Sequence, residues 1–420
     1  IEKTRKNNAR TGCCCYGDLE KNKNKKTMNI AIFNYREFNE NLGGIEKVSV
    51  SLAKGLMTRG CKVVFIAAHQ SIYKVDYQLP ATQYILPSED VFFLFFIEKL
   101  KQILLDENIN IFLNQDCDSL AAHNLAYEAT KTTDVKLVSA LHYNPSLRLQ
   151  LYKHPFSRMF SFKENIVRGL KCIGYKRPFR YFVLSNLRYL EQKVYKESDK
   201  IVLLSDKFIP DYCELGGLKN RKKICAINNC LSFEYEDLKL EKKNKILFCA
   251  RLEAQKRPDR ILYVWKRLFK KLPDWSLDIV GDGSLRPKLE KMASDMELER
   301  ITFHGFKASQ DFYKQSKILL MTSDSEGWGL ALTEAMQYKC APIAMGTYAS
   351  VFDIIDDNQN GYIVPGVSCR MMAEKLYYLA AHPMERDQMA LAAFKKASAF
   401  EPEKIVDKWM GEFINVLKNQ

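Results

Sequence analysis

The sequence lacks several features that mark other classes of protein. It contains no uncharged apolar stretch of about 18 residues, so we expect no membrane-spanning helix. Its twelve cysteines are scattered without convincing zinc-ligand spacing, and it has only six histidines. Because no hydrophobic signal segment is present either, we expect a cytoplasmic protein with reduced thiols. From the cysteine spacing, we expect no metal site.

Positive charge is concentrated at the start of the chain. The net charge is +14 over 420 residues, and residues 1–27 hold eight Lys/Arg and three Asp/Glu, which supply +5 of it. This leader has no apolar periodicity, so it is predicted to be disordered. Met28 opens the first strand pattern, and our interpretation is that the native chain starts there and that residues 1–27 are an added extension.

Short apolar strand patterns alternate with helical patterns from Met28 onward. Such alternation predicts parallel sheets covered by helices on both faces, an α/β fold. In the first half, a helix is predicted over 45–59, between the first two strands. The predicted strands are 29–35, 62–68, 110–114, 135–141, 200–204 and 224–227, followed by 246–250, 275–280, 301–304, 318–321 and 341–345.

A charged, aperiodic stretch at 234–245 divides the alternation in two and is the best linker candidate. We therefore predict two doubly wound, Rossmann-like domains, at 28–238 and 239–400. A helical tail follows at 401–420. In this architecture, ligands bind in a cleft at the carboxyl ends of the strands.

The most informative motif follows the predicted strand 318–321. Its glycines allow a close approach to the backbone, and the helix that starts there offers N–H groups to an anion. The two glutamates, eight residues apart, could hold a hydroxylated ring and a ribose, although an ordinary strand-turn-helix with two surface glutamates is the alternative. The motif residues are Glu326, Gly327, Trp328, Gly329, Leu330 and Glu334.

A second motif follows the predicted strand 246–250. Arg251 lies just past this strand, and Lys256 comes five residues later, immediately before a predicted helix. A guanidinium fork and a point-charge ammonium together suit a diphosphate that gains charge. The alternative is a pair of solvated cations at a strand exit.

Together these motifs resemble those of retaining GT-B glycosyltransferases, most closely family 4, the group 1 glycosyltransferases. The resemblance covers about residues 28–420, and Ala250 replaces the usual glycine before Arg251. It implies that Arg251 and Lys256 neutralise the leaving nucleoside diphosphate, that Glu326 holds sugar hydroxyls and that Glu334 holds the ribose diol. It also implies a C-terminal helix that crosses back to the first domain.

Weaker signals fit the same family. Gly43 and Gly44 form a turn that the family uses beside the donor diphosphate, while Gly281 and Gly283 resemble its Gly-x-Gly turn. Phe306 follows a strand whose end lines the nucleobase pocket in family members. Each turn could equally be a simple connection between elements.

His142 follows the predicted strand 135–141, at a place where family members hydrogen-bond the donor sugar through a histidine. A lone histidine is otherwise often structural. By resemblance, we predict Arg251, Lys256, Glu326 and His142 as catalytic residues and the glycine-rich positions above, with Trp328, Leu330 and Glu334, as donor-binding residues.

The segment 153–193 is rich in lysine, arginine and aromatic residues. It could lie on an anionic membrane surface, at the cytoplasmic face of the inner membrane, or form solvated helices with aromatic cores. The expected activity is metal-independent, retaining transfer from a nucleotide sugar, such as a UDP- or GDP-hexose, to a saccharide or lipid-linked saccharide in cell-surface polysaccharide synthesis. No cofactor and no nucleic-acid partner are expected. The alternatives are a GT-B epimerase and a non-catalytic basic protein that binds membrane or nucleic acid.

Overall fold

The computed structural model of the chain describes residues 27–39, 43–70, 78–86, 93–147, 149, 178–233 and 235–418. Residues 1–26 of the leader, which is predicted to be disordered, lie outside the described residues. Residues 153–177 of the basic segment also lie outside them. The described part forms two parallel sheets, one of seven strands and one of six.

The first sheet has the strand order β3-β2-β1-β4-β5-β6-β7, and every pairing in it is parallel. Its central strands are almost completely buried, which explains their continuous apolar sequences. Its strands are β1 (Asn29–Arg36), β2 (Lys62–His69), β3 (Gln83–Ile85), β4 (Ile111–Asn114), β5 (Lys136–Ala140), β6 (Lys200–Leu203) and β7 (Ile224–Ala226).

The second sheet has the strand order β10-β9-β8-β11-β12-β13 and is also parallel throughout. Strands β8 and β11 are neighbours at its centre, so the loops that follow them meet at one edge. Its strands are β8 (Lys243–Cys249), β9 (Ser276–Val280), β10 (Ile301–Gly305), β11 (Ser316–Met321), β12 (Ala341–Gly346) and β13 (Tyr362–Pro365).

Helices connect the strands of both sheets. In the first half they are α1 (Gly44–Thr58), α2 (Phe93–Asp106), α3 (Leu120–Thr130), α4 (Pro178–Glu197) and α5 (Ile209–Gly216). In the second half they are α6 (Pro258–Lys266), α7 (Arg286–Asp295), α8 (Gln310–Gln315), α9 (Leu330–Gln337), α10 (Val351–Ile354), α11 (Cys369–Ala381), α12 (Pro383–Ala397) and α13 (Pro402–Lys418).

The C-terminal helix α13 packs on the first domain. Val406 lies so close to Gly55 of α1 that a Cβ on that glycine would come within 2.4 Å of it. Trp409 and Phe413 of α13 join the same hydrophobic cluster as Leu52 of α1. The apolar stripe of the tail therefore covers the first domain, although it follows the second in sequence.

The predicted α/β architecture is confirmed, and each predicted strand is present to within a few residues. Two strands were not predicted, β3 and β13, which have only three and four residues. The range proposed as a linker ends too late, because β8 already begins at Lys243 and pairs there with Ser316 of β11. Charged residues at the start of a strand concealed its apolar pattern.

Candidate active site

A cavity of about 480 Å³ lies between the two domains. Its walls come from the ends of β5, β8 and β11 and from the first turns of α1 and α9, as expected for parallel sheets. Nine of the predicted site residues line it: Gly44, His142, Arg251, Lys256, Glu326, Gly327, Trp328, Gly329 and Leu330.

Lys256 and Glu326 form an ion pair on one wall of the cavity. The Nζ of Lys256 lies 2.6 Å from Oε2 of Glu326, and both side chains are mostly buried. The other carboxylate oxygen of Glu326, Oε1, accepts a hydrogen bond of 2.6 Å from the Ser323 hydroxyl. The two principal motifs therefore meet directly, because their strands are neighbours in the sheet.

A set of polar contacts clasps the two motif loops together. The guanidinium of Arg260 lies 2.5 Å from Asp324, and that of Arg257 lies 3.3 Å from the same carboxylate. The backbone N–H of Asp324 donates to the carbonyl of Gln255, and the Gln255 amide donates to the carbonyl of Ser325. The sequence motifs did not indicate this clasp, although Arg257 and Asp324 are direct neighbours of Lys256 and Ser325.

Arg251 is exposed at the cavity, and the glycine-rich turn packs against the loop that carries it. A Cβ on Gly281 would lie 2.0 Å from the carbonyl oxygen of Ala250, and one on Gly283 would lie 2.7 Å from that of Leu252. These glycines therefore support the Arg251 loop from behind. Within the described chain, neither is among the residues that line the cavity, and their donor-binding role stays a prediction.

Glu334 lies deeper, one turn along α9 from Leu330 and Ala331, which line the cavity. Its Oε1 is 2.6 Å from the Nζ of Lys47, a residue of α1 in the first domain. Its Oε2 accepts a hydrogen bond of 2.9 Å from the Tyr313 hydroxyl. Neither partner was predicted, because both are distant in sequence and carry no motif of their own.

On the first-domain side, α1 begins at Gly44 and its first turn faces the start of α9. A Cβ on Gly44 would lie 3.1 Å from the Leu330 side chain. Gly43 precedes the helix in an extended conformation, and a Cβ there would meet the Glu46 carboxylate. The turn thus brings the N-terminus of α1 close to the opposite domain.

His142 hydrogen-bonds Gln115, with 2.6 Å between its Nε2 and the Gln115 Oε1. Burial lowers the pKa of His142 to about 4, because a buried imidazole disfavours its charged form. His142 is therefore neutral near pH 7. Next to Gln115, burial raises the pKa of Asp116 to about 6, and neither Gln115 nor Asp116 was singled out from the sequence.

The backbone of His142 also sets how closely the domains approach. A Cβ on Gly327 would lie 2.0 Å from the His142 carbonyl oxygen and 3.4 Å from the Leu204 side chain. Only glycine fits at position 327 in this arrangement. The close approach predicted for this glycine is thus made by the first domain.

Two predicted donor-binding aromatics lie in different surroundings. Trp328 is almost fully buried, and its ring packs edge-on against Phe400 at 5.2 Å between centroids. Phe306 follows β10 and is 70% exposed, and it is not among the residues lining the cavity in the described chain. Trp328 therefore contributes to the core beneath the cavity, and the role of Phe306 stays a prediction.

Two family models match the chain. The model described as "Glycosyltransferase Family 4" matches residues 42–235, and that described as "Glycosyl transferases group 1" matches residues 233–396. The chain belongs to the group 1 glycosyltransferases. It is therefore a transferase enzyme, and the predicted family is confirmed.

Two curated relatives of this glycosyltransferase are bacterial proteins. The amylovoran biosynthesis glycosyltransferase AmsD of Erwinia amylovora is 29% identical over 232 residues, which span 53% of this chain and 64% of AmsD. An uncharacterized glycosyltransferase of Haemophilus influenzae is 25% identical over 380 residues, or 88% of this chain and 96% of that protein.

Solved structures share the fold of this glycosyltransferase at low identity. A TarM mutant from S. aureus, in complex with fondaparinux, alpha-GlcNAc-glycerol and UDP, superposes with a TM-score of 0.72 at 15% identity. HepE of Anabaena, in complex with UDP and glucose, gives 0.71 at 16% identity. Each comparison covers 92% of this chain and 100% of the other chain, so the GT-B fold predicted from the sequence is confirmed.

No helix in the described ranges is long and apolar enough to cross a membrane. No group of three or more His, Cys, Asp or Glu side chains there is arranged to hold a metal ion.

Proposed function

We propose that this glycosyltransferase moves a sugar from a nucleotide-sugar donor, such as a UDP- or GDP-hexose, to a saccharide or lipid-linked saccharide. The transfer retains the anomeric configuration and needs no metal ion. The observation that carries the proposal is the joint placement of Arg251, Lys256 and Glu326 on one cavity wall, at the ends of the neighbouring strands β8 and β11.

The residues divide the chemistry between charge stabilisation and orientation. Arg251 and Lys256 stabilise the diphosphate as the bond from the anomeric carbon to the leaving phosphate oxygen breaks. An ammonium group has three N–H donors, so Lys256 can keep one on Glu326 and direct another at the diphosphate. Glu326 accepts hydrogen bonds from sugar hydroxyls, and Glu334 accepts them from the ribose diol.

No general base is needed in this scheme. The acceptor hydroxyl oxygen forms its bond to the anomeric carbon on the face that the diphosphate leaves. Its proton passes to the departing phosphate oxygen, so charge and atoms balance. His142, neutral at pH 7, offers a ring nitrogen for a hydrogen bond to the donor sugar.

The names of similar proteins support the substrate classes. HepE and TarM were solved with UDP, and HepE also with glucose. A Campylobacter jejuni relative, 27% identical over 59% of this chain and 70% of its own length, is named for transfer to an undecaprenol-linked saccharide. We accordingly propose a role in cell-surface polysaccharide synthesis. The basic segment 153–193 would meet the anionic cytoplasmic face of the inner membrane, where a lipid-linked acceptor lies.

The proposal is tested by incubating the protein with UDP-, GDP- and ADP-sugars in the presence of EDTA. We expect one donor to raise the melting temperature of the protein and to release its nucleoside diphosphate slowly by hydrolysis. The Arg251→Ala variant should lose on the order of 3 kcal/mol of transition-state stabilisation. Near-wild-type turnover by that variant would overturn the proposed mechanism, and NMR of the glycoside product would show whether the configuration is retained.

A further inference from the structure

The buried carboxylate of Glu334 has a partner that its own domain does not supply. Lys47 lies one turn into α1, after the Gly43-Gly44 turn, and its Nζ is 2.6 Å from Oε1 of Glu334. The same ammonium lies 4.1 Å from the centre of the Phe233 ring. A first-domain residue thus neutralises a second-domain carboxylate.

Both oxygens of Glu334 are fixed, yet the group is not saturated. Oε1 binds Lys47, and Oε2 accepts from Tyr313, whose own side chain is fully buried. A carboxylate has about four acceptor positions, so two contacts leave about two for further hydroxyl groups. A 1,2-diol is a ligand that needs two such acceptors.

The pair lies directly behind the cavity wall. Leu330 and Ala331 line the cavity, and residues three and four positions apart share a face of a helix, so Glu334 continues that face. Cys249 also lines the cavity, and the pKa of its thiol is raised to about 11, chiefly by burial, with Glu334 and Lys47 among the nearby charges. Glu334 is therefore close to the space that a ligand in the cavity would occupy.

We propose that Lys47 is a positioning residue that orients Glu334 toward the ribose diol of the donor. Recognition of the ribose then depends on the first domain being closed over the second, because α1 carries the lysine. This inference rests on the proposed function. It adds a specificity determinant from outside the donor-binding domain.

A second interdomain ion pair provides a matched control. Lys207 of the first domain pairs with Asp353 of α10, and Ser205 donates to the same carboxylate at 2.5 Å. Lys207→Met removes an interdomain lysine contact without touching Glu334. Lys47→Met removes the proposed contact, and Lys47→Arg keeps its charge.

The test is titration calorimetry of UDP and 2′-deoxy-UDP, with GDP and 2′-deoxy-GDP in parallel. Because hydrogen bonds to charged groups are strong, the wild type should bind the preferred ribonucleotide about tenfold more tightly than its deoxy counterpart. Lys47→Met should bring that ratio to within about threefold by weakening ribonucleotide binding alone. Lys47→Arg and Lys207→Met should keep most of the ratio.

Tyr313→Phe is a second route to the same answer if Lys47→Met does not fold. It removes the other contact of Glu334 without changing charge, and it should lower the ratio partially. An unchanged ratio in Lys47→Met, an equal loss for both nucleotides, or tighter ribonucleotide binding would overturn the inference. A wild type that turns over a sugar nucleotide but does not discriminate overturns the inference alone. Absence of both turnover and nucleotide binding overturns the proposed function as well.

Discussion

Two glutamates eight residues apart have matching surroundings that are built in different ways. Glu326 and Glu334 each lie 2.6 Å from a lysine ammonium, and each accepts a second hydrogen bond from a hydroxyl group. The lysine of Glu326 is Lys256, which belongs to the same domain and is 70 residues away in sequence. The lysine of Glu334 is Lys47, which belongs to the other domain and is 287 residues away.

The Glu326 site is therefore built within one domain, whereas the Glu334 site depends on how the two domains are positioned. The Lys256–Glu326 pair is set by the order of strands in one sheet, because β8 and β11 are neighbours. It should persist if the domains move apart. The Lys47–Glu334 pair requires α1 and α9 to face each other, so opening of the cleft would break it.

The local site should show the largest effect. Lys256→Met removes a charge that we propose acts on the leaving diphosphate, and deletion of one preorganised donor typically costs roughly 10²- to 10³-fold in kcat. Steady-state kinetics with the donor found in the sugar-nucleotide panel would measure this. Lys266→Met, at an exposed lysine that ends α6, is the matched control and should keep wild-type kcat. A loss in Lys256→Met confined to KM would contradict a role in charge stabilisation.

The same contrast separates the site residues that could be predicted from the sequence from those that could not. Arg251, Lys256 and Glu326 were predicted together, because parallel strands bring their carboxyl ends to one edge and the motif residues follow those strands directly. Lys47 and Tyr313 could not be predicted, since a helical lysine or tyrosine is common and nothing local specifies a partner in another element. Short strands such as β3 carry too few residues for a periodic signal.

The clasp around Asp324 was missed for a related reason. Arg257 and Arg260 follow Lys256 in the sequence, but their ion pairs with Asp324 depend on side-chain directions at the start of helix α6 and in the loop after β11. Sequence spacing indicates which residues share a loop, and it does not indicate which way their side chains point. The same holds for Gln115 beside His142.

A substitution at Gly327 should disturb the arrangement of the two domains on which the Lys47–Glu334 pair depends. In Gly327→Ala, the new Cβ would lie 2.0 Å from the His142 carbonyl oxygen, so the domains must separate. A misplacement of about 1 Å can cost about 10²-fold in rate, and we expect kcat to fall by about that factor. Gly411→Ala, in open space on α13, is the control and should keep full activity. Unchanged kcat in Gly327→Ala would show that the closed arrangement is not the active one.

The hydroxyl groups of Ser323 and Tyr313, which donate to Glu326 and Glu334, allow a finer comparison of the two sites. Ser323→Ala removes the donor to Glu326 and should lower kcat about tenfold, since hydrogen bonds to charged groups contribute about 1.5–3 kcal/mol. Tyr313→Phe removes the donor to Glu334 and should mainly raise the KM for the donor. Ser316→Ala is the control, because its buried hydroxyl at the start of β11 has no hydrogen-bond partner among the described residues. Equal effects of the first two variants on kcat would contradict separate roles for the two glutamates.

The remaining effect is on stability rather than on rate, and it concerns His142, whose backbone faces Gly327 across the cleft. Its pKa is lowered from 6.5 to about 4 by burial, so the unfolded chain binds its proton at higher pH than the folded one. His142 should therefore not reduce the free energy of unfolding above about pH 6.5. It should reduce it progressively as the pH drops toward about 4. Urea unfolding at pH 7.5 and pH 5 should show this as a loss of about 2 kcal/mol that His142→Asn does not share.

The comparison between wild type and His142→Asn isolates this contribution from that of Asp116. The pKa of Asp116 is raised to about 6, so Asp116 favours the folded state at low pH in both proteins and cancels in the difference. If the two proteins lost equal stability between pH 7.5 and pH 5, His142 would titrate as an exposed imidazole does. The imidazole would then be hydrated in the folded protein, and the burial that lowers its pKa would not describe the protein in solution.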